Sequence, residues 1–426
     1  MQVRSTLSHS RWRAVAAVVV PLLACQPDAN PAAPTGFLAA SRDGAPPSEE
    51  LASPGWQETA ATLVTQGNLS PTVSTRAYSQ LGVAQYVAVR QAEGAQARAG
   101  EAARGGRSRR ESDRGAVAGA SVVVLSYLFP LKTQALEDMV TAQREAATGR
   151  SQQAFVRGEA IGRAVGAEIV TRAQADGFSN PFTGTIPVGP GFWISNTTPP
   201  TVAGGPLAGV RPWFLTSASQ FRPGPPPAFG SADFLAALAE IRQISDTRSA
   251  EQVQIATFWA QGAGTPTTPA FWIQRATDGI TQHAFSERRA THLYALLSAT
   301  MFDAQIGCWD AKETYWFIRP WQADAAITVV ASVGKPNHPS YPSGHSCISS
   351  SAAEVLSAFF PAQRKRLDAM VIEAGLSRMY GGIHYRFDIE AGQTLGRSVA
   401  HFSIAADRSG RSVLTPDNEE EGDGPN

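Results

Sequence analysis

An internal repeat is the feature that most constrains how this chain of 426 residues folds. Residues 124–130 read VLSYLFP, and residues 355–361, which lie 231 positions further on, read VLSAFFP. The same offset aligns Glu159-Ala160 with Glu390-Ala391. A slightly larger offset aligns Gly162-Arg163-Ala164-Val165 with Gly396-Arg397-Ser398-Val399. Upstream of these matches, residues 75–89 resemble residues 291–305. Amphipathic helices also match by chance, but successive matches in one order favour the duplication of one structural unit.

The spacing of apolar residues predicts the fold class. Most apolar stretches between the two ends of the chain have the spacing and length of helices. The β-branched run Val122–Leu128 would suit a strand, but its repeat partner favours a helix. We therefore expect an all-α fold of two duplicated helical bundles, with long Pro/Gly-rich loops. The expected order is a degenerate bundle at 55–177, a connecting loop at 178–250 that wraps near the site, and a catalytic bundle at 251–410.

Residues 1–25 have the pattern of a signal peptide. Basic residues precede an apolar run of eleven residues, 14–24, which is shorter than the roughly 20 residues that a membrane span needs. The run ends in Leu22-Leu23-Ala24-Cys25, which resembles the lipobox of bacterial lipoproteins. We expect an exported protein, periplasmic or anchored to the membrane through a lipid on Cys25. A conventionally cleaved signal and an uncleaved tail are the alternatives.

Composition also predicts segments without a packed core. Residues 26–54 are rich in Pro, Ala and Ser and indicate a flexible tether, while residues 411–426 indicate a solvated acidic tail. Residues 92–116, rich in Arg, Gly and Ala, are expected to form a solvated insertion.

Net charge and cysteine content limit the expected partners. The formal net charge of zero gives no indication of a nucleic-acid partner. Membrane contact is expected only through the lipid anchor, and the sequence leaves the oligomeric state open. Cys308 and Cys347 allow one bridge, although two buried free thiols are favoured.

Three clusters of polar residues in the second half could carry chemistry, and the first is KETYWFIRP, residues 312–320. Lys312 and Arg319 are seven positions apart, so two helical turns would bring them to one face. With Trp309 nearby, this pair is suited to anchoring a multiply charged anion. Taken alone, a Lys/Arg pair at this spacing usually lies on a solvated surface.

The second cluster is HPSYPSGHS, residues 338–346. Ser343 and Gly344 form a turn before a predicted helix at residues 346–360, and a helix N-terminus attracts anions. The hydroxyl of Ser343 adds a donor, Gly344 lets the backbone approach a ligand, and His345 can give or take a proton. A plain capped helix with an incidental histidine is the alternative.

The third cluster is SRMYGGIHYRFD, residues 377–388. His384 and Asp388 are four apart, so a shared helix face would let the carboxylate accept from one ring nitrogen and leave the other as a lone pair. Such an imidazole is prepared to act as a nucleophile or a ligand. Arg378 adds a guanidinium, and Gly381-Gly382 permit an unusual backbone path. A pair like His384 and Asp388 also occurs often on surfaces.

Together, the clusters match the signature of a known superfamily: Lys, six residues, Arg-Pro; then Pro-Ser-Gly-His; then Ser-Arg, five residues, His, three residues, Asp. The chain resembles the superfamily that unites vanadium-dependent haloperoxidases, type 2 phosphatidic acid phosphatases and bacterial nonspecific acid phosphatases. The motifs cover Lys312 to Asp388, and a fainter likeness covers about 55–405. The chain looks most like bacterial haloperoxidase-like proteins with two bundles.

This resemblance implies a role for each matched residue. The cations that neutralise the oxyanion would be Lys312, Arg319 and Arg378, while Ser343 and Gly344 would donate to its oxygens. His345 would be the acid/base, and Asp388 would hold His384. His384 would bind the central atom, which is phosphorus in a phosphatase and vanadium in a haloperoxidase. In the first repeat, the positions of His345, Arg378, His384 and Asp388 carry Arg114, Ala147, Gln153 and Arg157, so we expect one site.

Three functions remain open on the sequence. A haloperoxidase would hold vanadate and oxidise halide, preferably bromide, with hydrogen peroxide. His338 favours it, because algal bromoperoxidases resemble this chain in having His where chloroperoxidases have Phe. Trp309 resembles an aromatic residue near the halide in fungal chloroperoxidases, although aromatics near a site more often serve packing. The alternatives are an exported acid phosphatase with a phosphohistidine intermediate and no cofactor, and a non-catalytic exported scaffold.

Overall fold

The computed structural model describes residues 51–98, 106–410 and 412–414. Within these ranges the regular structure is helical, and one isolated bridge joins Phe192 to Phe317. The α-helices are α1 Ala52–Gln66, α2 Pro71–Arg98, α3 Gly106–Leu128, α4 Thr133–Ala146, α5 Gly149–Gln174, α6 Ala232–Thr247, α7 Ala250–Phe258, α8 Thr267–Gln282, α9 Glu287–Tyr315, α10 Pro320–Ala323, α11 Gly344–Phe359, α12 Arg364–Tyr380 and α13 Arg386–Arg408. The expected all-α fold is confirmed.

The repeat is visible in the order and the local geometry of the helices. Helices α1 to α5 follow one another as α8, α9 and α11 to α13 do in the second half. Phe129 ends α3 with φ −133° and ψ 67°, and its repeat partner Phe360 ends α11 with φ −128° and ψ 68°. Each is followed by a 3₁₀ turn that begins with proline. The same bend therefore separates corresponding helices in both halves.

Glycines set the packing of corresponding helix pairs. A Cβ on Gly162 of α5 would lie 2.1 Å from the carbonyl oxygen of Ala116 on α3. A Cβ on Gly396 of α13 would lie 2.3 Å from the carbonyl oxygen of Cys347 on α11. Because no side chain fits at either crossing, the helix backbones touch. In the second bundle a Cβ on Gly392 would likewise lie 2.7 Å from the carbonyl oxygen of Ser343, so these contacts hold the first half of α13 against the start of α11, where two of the sequence clusters lie.

The two bundles share one core. The described residues belong to one compact unit, and one buried apolar cluster includes Val89 and Phe155 of the first half with Leu297 and Leu356 of the second. Helix α2 lies along α9, where a Cβ on Gly82 would meet the backbone of Tyr294 at 2.8 Å. Each bundle thus buries apolar surface that it would otherwise expose.

The structure differs from the sequence expectations at three segment boundaries. The connecting segment is not a loop throughout, because Ser231 caps α6, which buries Phe234 and Ile241. Within the segment predicted to be a solvated insertion, 92–116, the described residues are helical: α2 continues to Arg98, and α3 starts at Gly106 and buries residues from Glu111 onward. The polar residues at the start of α3 are helical because they continue into the apolar, buried part of the same helix.

The start of α1 falls inside the segment expected to be a tether. Glu287 of α9 accepts hydrogen bonds from the N–H groups of Ala52 and Ser53, at 2.7 and 3.0 Å. The carboxylate thereby serves the free N-terminal donors of α1. The expected signal peptide, Cys25, most of the tether and nearly all of the acidic tail lie outside the described residues.

Two further expectations concern the membrane and the cysteines. Among the described helices, none combines the length and the apolar character that a membrane crossing requires. Cys308 and Cys347 are both buried free thiols, which was the favoured alternative.

Candidate active site

Lys312 and Arg319 both reach the buried centre of the second bundle, but not from one helix. Helix α9 ends at Tyr315, because Trp316 adopts a left-handed conformation with φ 47°. Arg319 lies beyond this break and caps α10. The expectation of a shared helix face is therefore wrong, although both side chains are fully buried as the anion-site hypothesis requires.

The ammonium of Lys312 points at a cluster of backbone carbonyls. Its Nζ donates to the oxygens of Pro339, Ser340 and Pro342 at 2.8, 3.0 and 2.5 Å. Burial, followed by the positive charge of Arg319, lowers the pKa of Lys312 to about 8. The side chain is therefore still a cation at neutral pH, and it ties α9 to the Pro-Ser-Gly-His segment.

Arg319 joins two histidines from different segments. Its Nε donates to the carbonyl of His338 at 3.0 Å, and one terminal nitrogen donates to the carbonyl of Ile383 at 2.7 Å. The same nitrogen lies 3.0 Å from His384 Nε2, and the other lies 3.1 Å from His338 Nδ1. Arginine only donates, so both histidine nitrogens are lone-pair acceptors. Burial lowers the pKa of Arg319 to about 10, so it also stays cationic.

The Pro-Ser-Gly-His segment forms the N-terminus of α11. Ser343 is the N-cap, and its hydroxyl oxygen accepts from the N–H of Ser346 at 3.4 Å, which leaves the hydroxyl proton available. Gly344 begins the helix, and a Cβ there would lie 3.6 Å from the ring of Trp309. The first-turn N–H groups have no acceptor within the helix. The N–H groups at this end of α11 are therefore placed to donate to an anion.

His345 is fixed in one tautomer by its neighbours. Its Nε2 lies 2.8 Å from the carbonyl oxygen of Trp259 and 3.2 Å from the hydroxyl of Thr268. A carbonyl only accepts, so Nε2 carries the proton and Nδ1 has the free lone pair. Burial lowers the pKa of His345 well below its usual range, with a further contribution from Arg378. The neutral imidazole can therefore take up a proton through Nδ1.

His384 and Asp388 are paired, but not across a helix face. Helix α13 begins at Arg386, so His384 precedes it, and Asp388 belongs to its first turn. Asp388 Oδ2 lies 2.8 Å from His384 Nδ1 and accepts from the N–H of Tyr385 at 3.1 Å. Burial lowers the pKa of His384 well below its usual range and raises that of Asp388 to about 6. A neutral imidazole thus keeps its proton toward Asp388 and its Nε2 lone pair toward Arg319.

Arg378 supplies a third buried cation from the last turn of α12. Its Nε donates to Ser377 Oγ at 3.0 Å, and a terminal nitrogen donates to the carbonyl of Ala256 at 3.0 Å. Burial, followed by repulsion from Arg319, lowers its pKa to about 9. The chain then turns back through Gly382, whose φ of 75° suits glycine, as the Gly-Gly pair predicted.

The charges of these groups do not balance. Lys312, Arg319 and Arg378 are at most 1% exposed, and Asp388 is the facing carboxylate in the cluster. Taking charges out of water is costly unless they are paired. A multiply charged oxyanion would balance them, with the lone pair of His384 aimed at its central atom. The donors present thus fit phosphate or vanadate.

Trp309 and His338 form one wall beside Arg319. Their ring centroids are 5.1 Å apart, with an angle of 44° between the planes. His338 Nδ1 lies 3.1 Å from a nitrogen of Arg319, which can only donate, and 3.3 Å from the carbonyl oxygen of Pro339. The shorter contact to the cation favours a lone pair on Nδ1 and the proton on Nε2. Burial lowers the pKa of His338 well below the usual range. Trp309 Nε1 donates to the carbonyl of Ala203 at 2.9 Å, so part of the connecting segment covers this wall. The segment therefore wraps near the site.

The first bundle has no matching histidines. The offset of 231 places Arg114 and Gln153 at the positions of His345 and His384. The glycine contacts align α5 with α13 three residues further along, which puts Arg150 at the position of His384. On either alignment, the arrangement of the second bundle is not repeated.

Sequence reasoning missed three contacts of the site. Ser340 donates to Asp388 Oδ2 at 2.6 Å, while Trp259 and Thr268 hold His345. Ser340 lies inside the HPSYPSGHS motif, so its place there was an available signal. Trp259 acts through its backbone, and Thr268 lies far from the motifs in sequence, so no pattern marked them.

Comparison with known proteins agrees with this fold. The family model of the PAP2 superfamily matches residues 291–409. A non-specific acid phosphatase of Providencia stuartii is 30% identical over 192 residues, which span 42% of this chain and 70% of that protein. The structure of a bacterial vanadium-dependent iodoperoxidase gives a TM-score of 0.67 at 24% identity, covering 84% of this chain and 96% of that one. A bacterial vanadium-dependent chloroperoxidase gives 0.65 at 14% identity with the same coverage.

The class of the protein follows from these likenesses. Its fold is the all-α fold of the vanadium haloperoxidases, since the two structural likenesses extend over both bundles. The chain belongs to the PAP2 superfamily, because the acid phosphatase is 30% identical over 70% of its own length and the family model matches residues 291–409, within the half that carries the site. Members of this superfamily are enzymes, either haloperoxidases or phosphatases.

Proposed function

We propose that this protein is a vanadate-dependent haloperoxidase-like enzyme that oxidises halide, preferably bromide, with hydrogen peroxide. The observation that carries the proposal is the buried cradle of three cations around the lone pair of His384. Such a cradle needs a multiply charged anion, and its preorganised donors would stabilise charge on that anion without rearrangement. Vanadate has the required charge and accepts an imidazole nitrogen as a ligand.

The roles of the residues follow from their positions. Lys312, Arg319 and Arg378 would hold the oxygens of vanadate, together with the hydroxyl of Ser343 and the N–H of Gly344. When bound, vanadate would supply a Lewis acid that activates hydrogen peroxide. His384 would give up its hydrogen bond from Arg319 to become the ligand.

Two histidines are placed to handle protons. His345 has a free Nδ1 lone pair and would accept a proton from a ligand that enters the cradle. His338 presents its Nε2–H from the Trp309 wall, because Arg319 occupies Nδ1. A peroxide oxygen must be protonated before it can leave, and a donor on this wall would assist that step.

The Trp309 wall and the breadth of the fold likeness support the haloperoxidase proposal over the alternatives. Trp309 and His338 together present aromatic surface and one N–H group beside a buried guanidinium, which suits a large, weakly hydrated halide. The solved structures that cover 84% of the chain belong to proteins named as iodoperoxidase and chloroperoxidase. Assays should therefore include iodide and chloride beside bromide.

Acid phosphatase activity is the second candidate. It is favoured by the 30% identity to a non-specific acid phosphatase. In this reaction the Nε2 lone pair of His384 would attack phosphorus, and the alcohol would leave with a proton from a protonated His345. Water would then release phosphate from the phosphohistidine. If the protein is instead a haloperoxidase, vanadate and phosphate would compete for His384, so any ester hydrolysis should be slow and confined to protein free of vanadium.

The test compares both activities on one preparation. Bromination of a phenolic dye is measured with and without added vanadate, beside hydrolysis of a simple phosphate ester. We expect bromination that depends on vanadate. Ester hydrolysis that vanadate inhibits, with no halogenation at any pH, would refute the haloperoxidase proposal and favour the phosphatase. Absence of both activities and of anion binding would favour a non-catalytic scaffold.

His338→Ala gives a finer check. We expect it to reduce bromination more than vanadate affinity, because His338 contacts the cradle through Arg319. An equal reduction of both quantities would make His338 part of the cradle itself and remove its support for the haloperoxidase proposal.

We also propose that the protein is exported and tethered by a lipid on Cys25. The support is the basic and apolar order of residues 1–24 and the Leu-Leu-Ala-Cys sequence that follows. Export would place the site outside the inner membrane, where small substrates such as peroxide and halide arrive by diffusion.

A further inference from the structure

Ser340 contacts both the cationic side and the histidine side of the site. Its N–H donates to the carbonyl of Phe317 at 2.9 Å, and its own carbonyl accepts from Lys312 Nζ at 3.0 Å. Its hydroxyl donates to Asp388 Oδ2 at 2.6 Å, and the residue is fully buried. Because all its polar groups are engaged, the orientation of Ser340 is fixed.

The carboxylate of Asp388 depends on this contact for a link to the rest of the site. Asp388 Oδ2 also accepts hydrogen bonds from His384 Nδ1 at 2.8 Å and from the N–H of Tyr385 at 3.1 Å. Both donors are close to Asp388 in the chain. Its Oδ1 is buried without a hydrogen-bond partner. The hydroxyl of Ser340 therefore holds the carboxylate from the segment that also carries the Pro-Ser-Gly-His motif.

We infer that Ser340 is a positioning residue. Its hydroxyl holds Asp388, which orients His384 so that the Nε2 lone pair points at the centre of the three buried cations. Its carbonyl, bonded to Lys312, fixes this orientation relative to the Lys312 ammonium. This inference rests on the proposed function, since Nε2 is the atom that would bind the central atom of the oxyanion. Ser340 itself need not touch the anion. Its effect would pass through the hydrogen bond to Asp388.

The expected size of the effect follows from similar arrangements. Groups that orient a ligating histidine through a second hydrogen bond change affinity by about 10- to 100-fold when they are removed. Ser340→Ala should therefore weaken the binding of orthovanadate to the full-length protein by about 10- to 100-fold. Equilibrium dialysis with vanadate alone measures this, independently of turnover.

A matched control separates positioning from general loss of a buried hydroxyl. Ser351→Ala removes a serine hydroxyl that is equally buried but bonds to the carbonyl of Ile348 within α11, at 2.9 Å. This variant should bind vanadate like the wild type. Thermal unfolding of both variants shows whether each is folded.

A double-mutant cycle shows whether Ser340 acts through Asp388. If it does, Ser340→Ala should cause little further loss of affinity in an Asp388→Asn protein, because the bond in question no longer links a carboxylate to His384. The downfield proton resonance of His384 Nδ1–H gives a second readout. It should move in Ser340→Ala and stay in Ser351→Ala.

The outcomes distinguish this inference from the proposed function. A wild-type protein that binds neither vanadate nor phosphate would overturn the proposed function, and the role of Ser340 with it. Wild-type binding with equal affinity in folded Ser340→Ala would overturn the Ser340 inference alone. Losses that simply add in the double mutant would also overturn it, since they would mean that Ser340 does not act through Asp388.

Discussion

Arg319 is the residue whose replacement tests the candidate site most directly. Its guanidinium connects His338 and His384 and donates to backbone carbonyls of both segments. Arg319→Ala removes one of three buried cations, and Arg319→Lys keeps the charge but not the planar fork. We expect both variants to weaken vanadate binding, and the alanine variant to weaken it more.

The expected loss of vanadate affinity follows from the charge-assisted hydrogen bonds that the substitution removes. A hydrogen bond to a charged group contributes about 1.5–3 kcal/mol. Since about 1.4 kcal/mol corresponds to a factor of ten, loss of one such bond weakens binding roughly 10- to 150-fold. The lysine variant has a single ammonium and cannot reach His338 Nδ1 and His384 Nε2 together, so its affinity should fall between those of the wild type and the alanine variant.

Isothermal titration with orthovanadate measures these affinities, with phosphate as a second ligand. Arg157→Ala is the control, because Arg157 is an exposed arginine of the first bundle. It should bind like the wild type. A folded Arg319→Ala protein with unchanged affinity would show that the buried cations do not form the anion site, and equal losses from Arg319→Ala and Arg157→Ala would contradict a single site in the second bundle.

Three more predictions concern pH, packing and location. Because the pKa of Lys312 is lowered to about 8 and a bound anion would raise it, binding takes up a proton above that pH. Phosphate affinity measured by titration calorimetry should fall as the pH rises above about 8, and Lys312→Met should lose the first part of that fall, while Arg378, with a pKa lowered to about 9, keeps a later part. Gly396→Ala and Gly162→Ala should each lower the free energy of unfolding by about 1–3 kcal/mol by forcing helices apart, measured by denaturation, but only Gly396→Ala should also weaken vanadate binding. Gly55→Ala, where a Cβ would meet nothing within 4 Å, is the control and should not destabilise. Cys25→Ser should move the protein from the membrane to the soluble fraction, and a wild type that is already soluble after export would contradict lipidation.

The sequence by itself determined the repeat, the helical class and most members of the candidate site. Periodicity and the repeated LSxxFP pattern fix helices because they depend on neighbours along the chain, so they are readable without a structure. The motifs around Lys312, Ser343 and His384 also indicated an oxyanion site, because few residue types can neutralise and ligate an oxyanion.

The tertiary structure decided how those residues meet. The sequence placed Lys312 with Arg319 and His384 with Asp388 on shared helix faces, but Trp316 ends one helix and Arg386 begins the other too late. Breaks of this kind depend on packing between distant segments, which local periodicity does not record. The same holds for the tautomer of His345 and the link through Ser340, because each is set by contacts that exist only once α7, α8, α11 and α13 pack together.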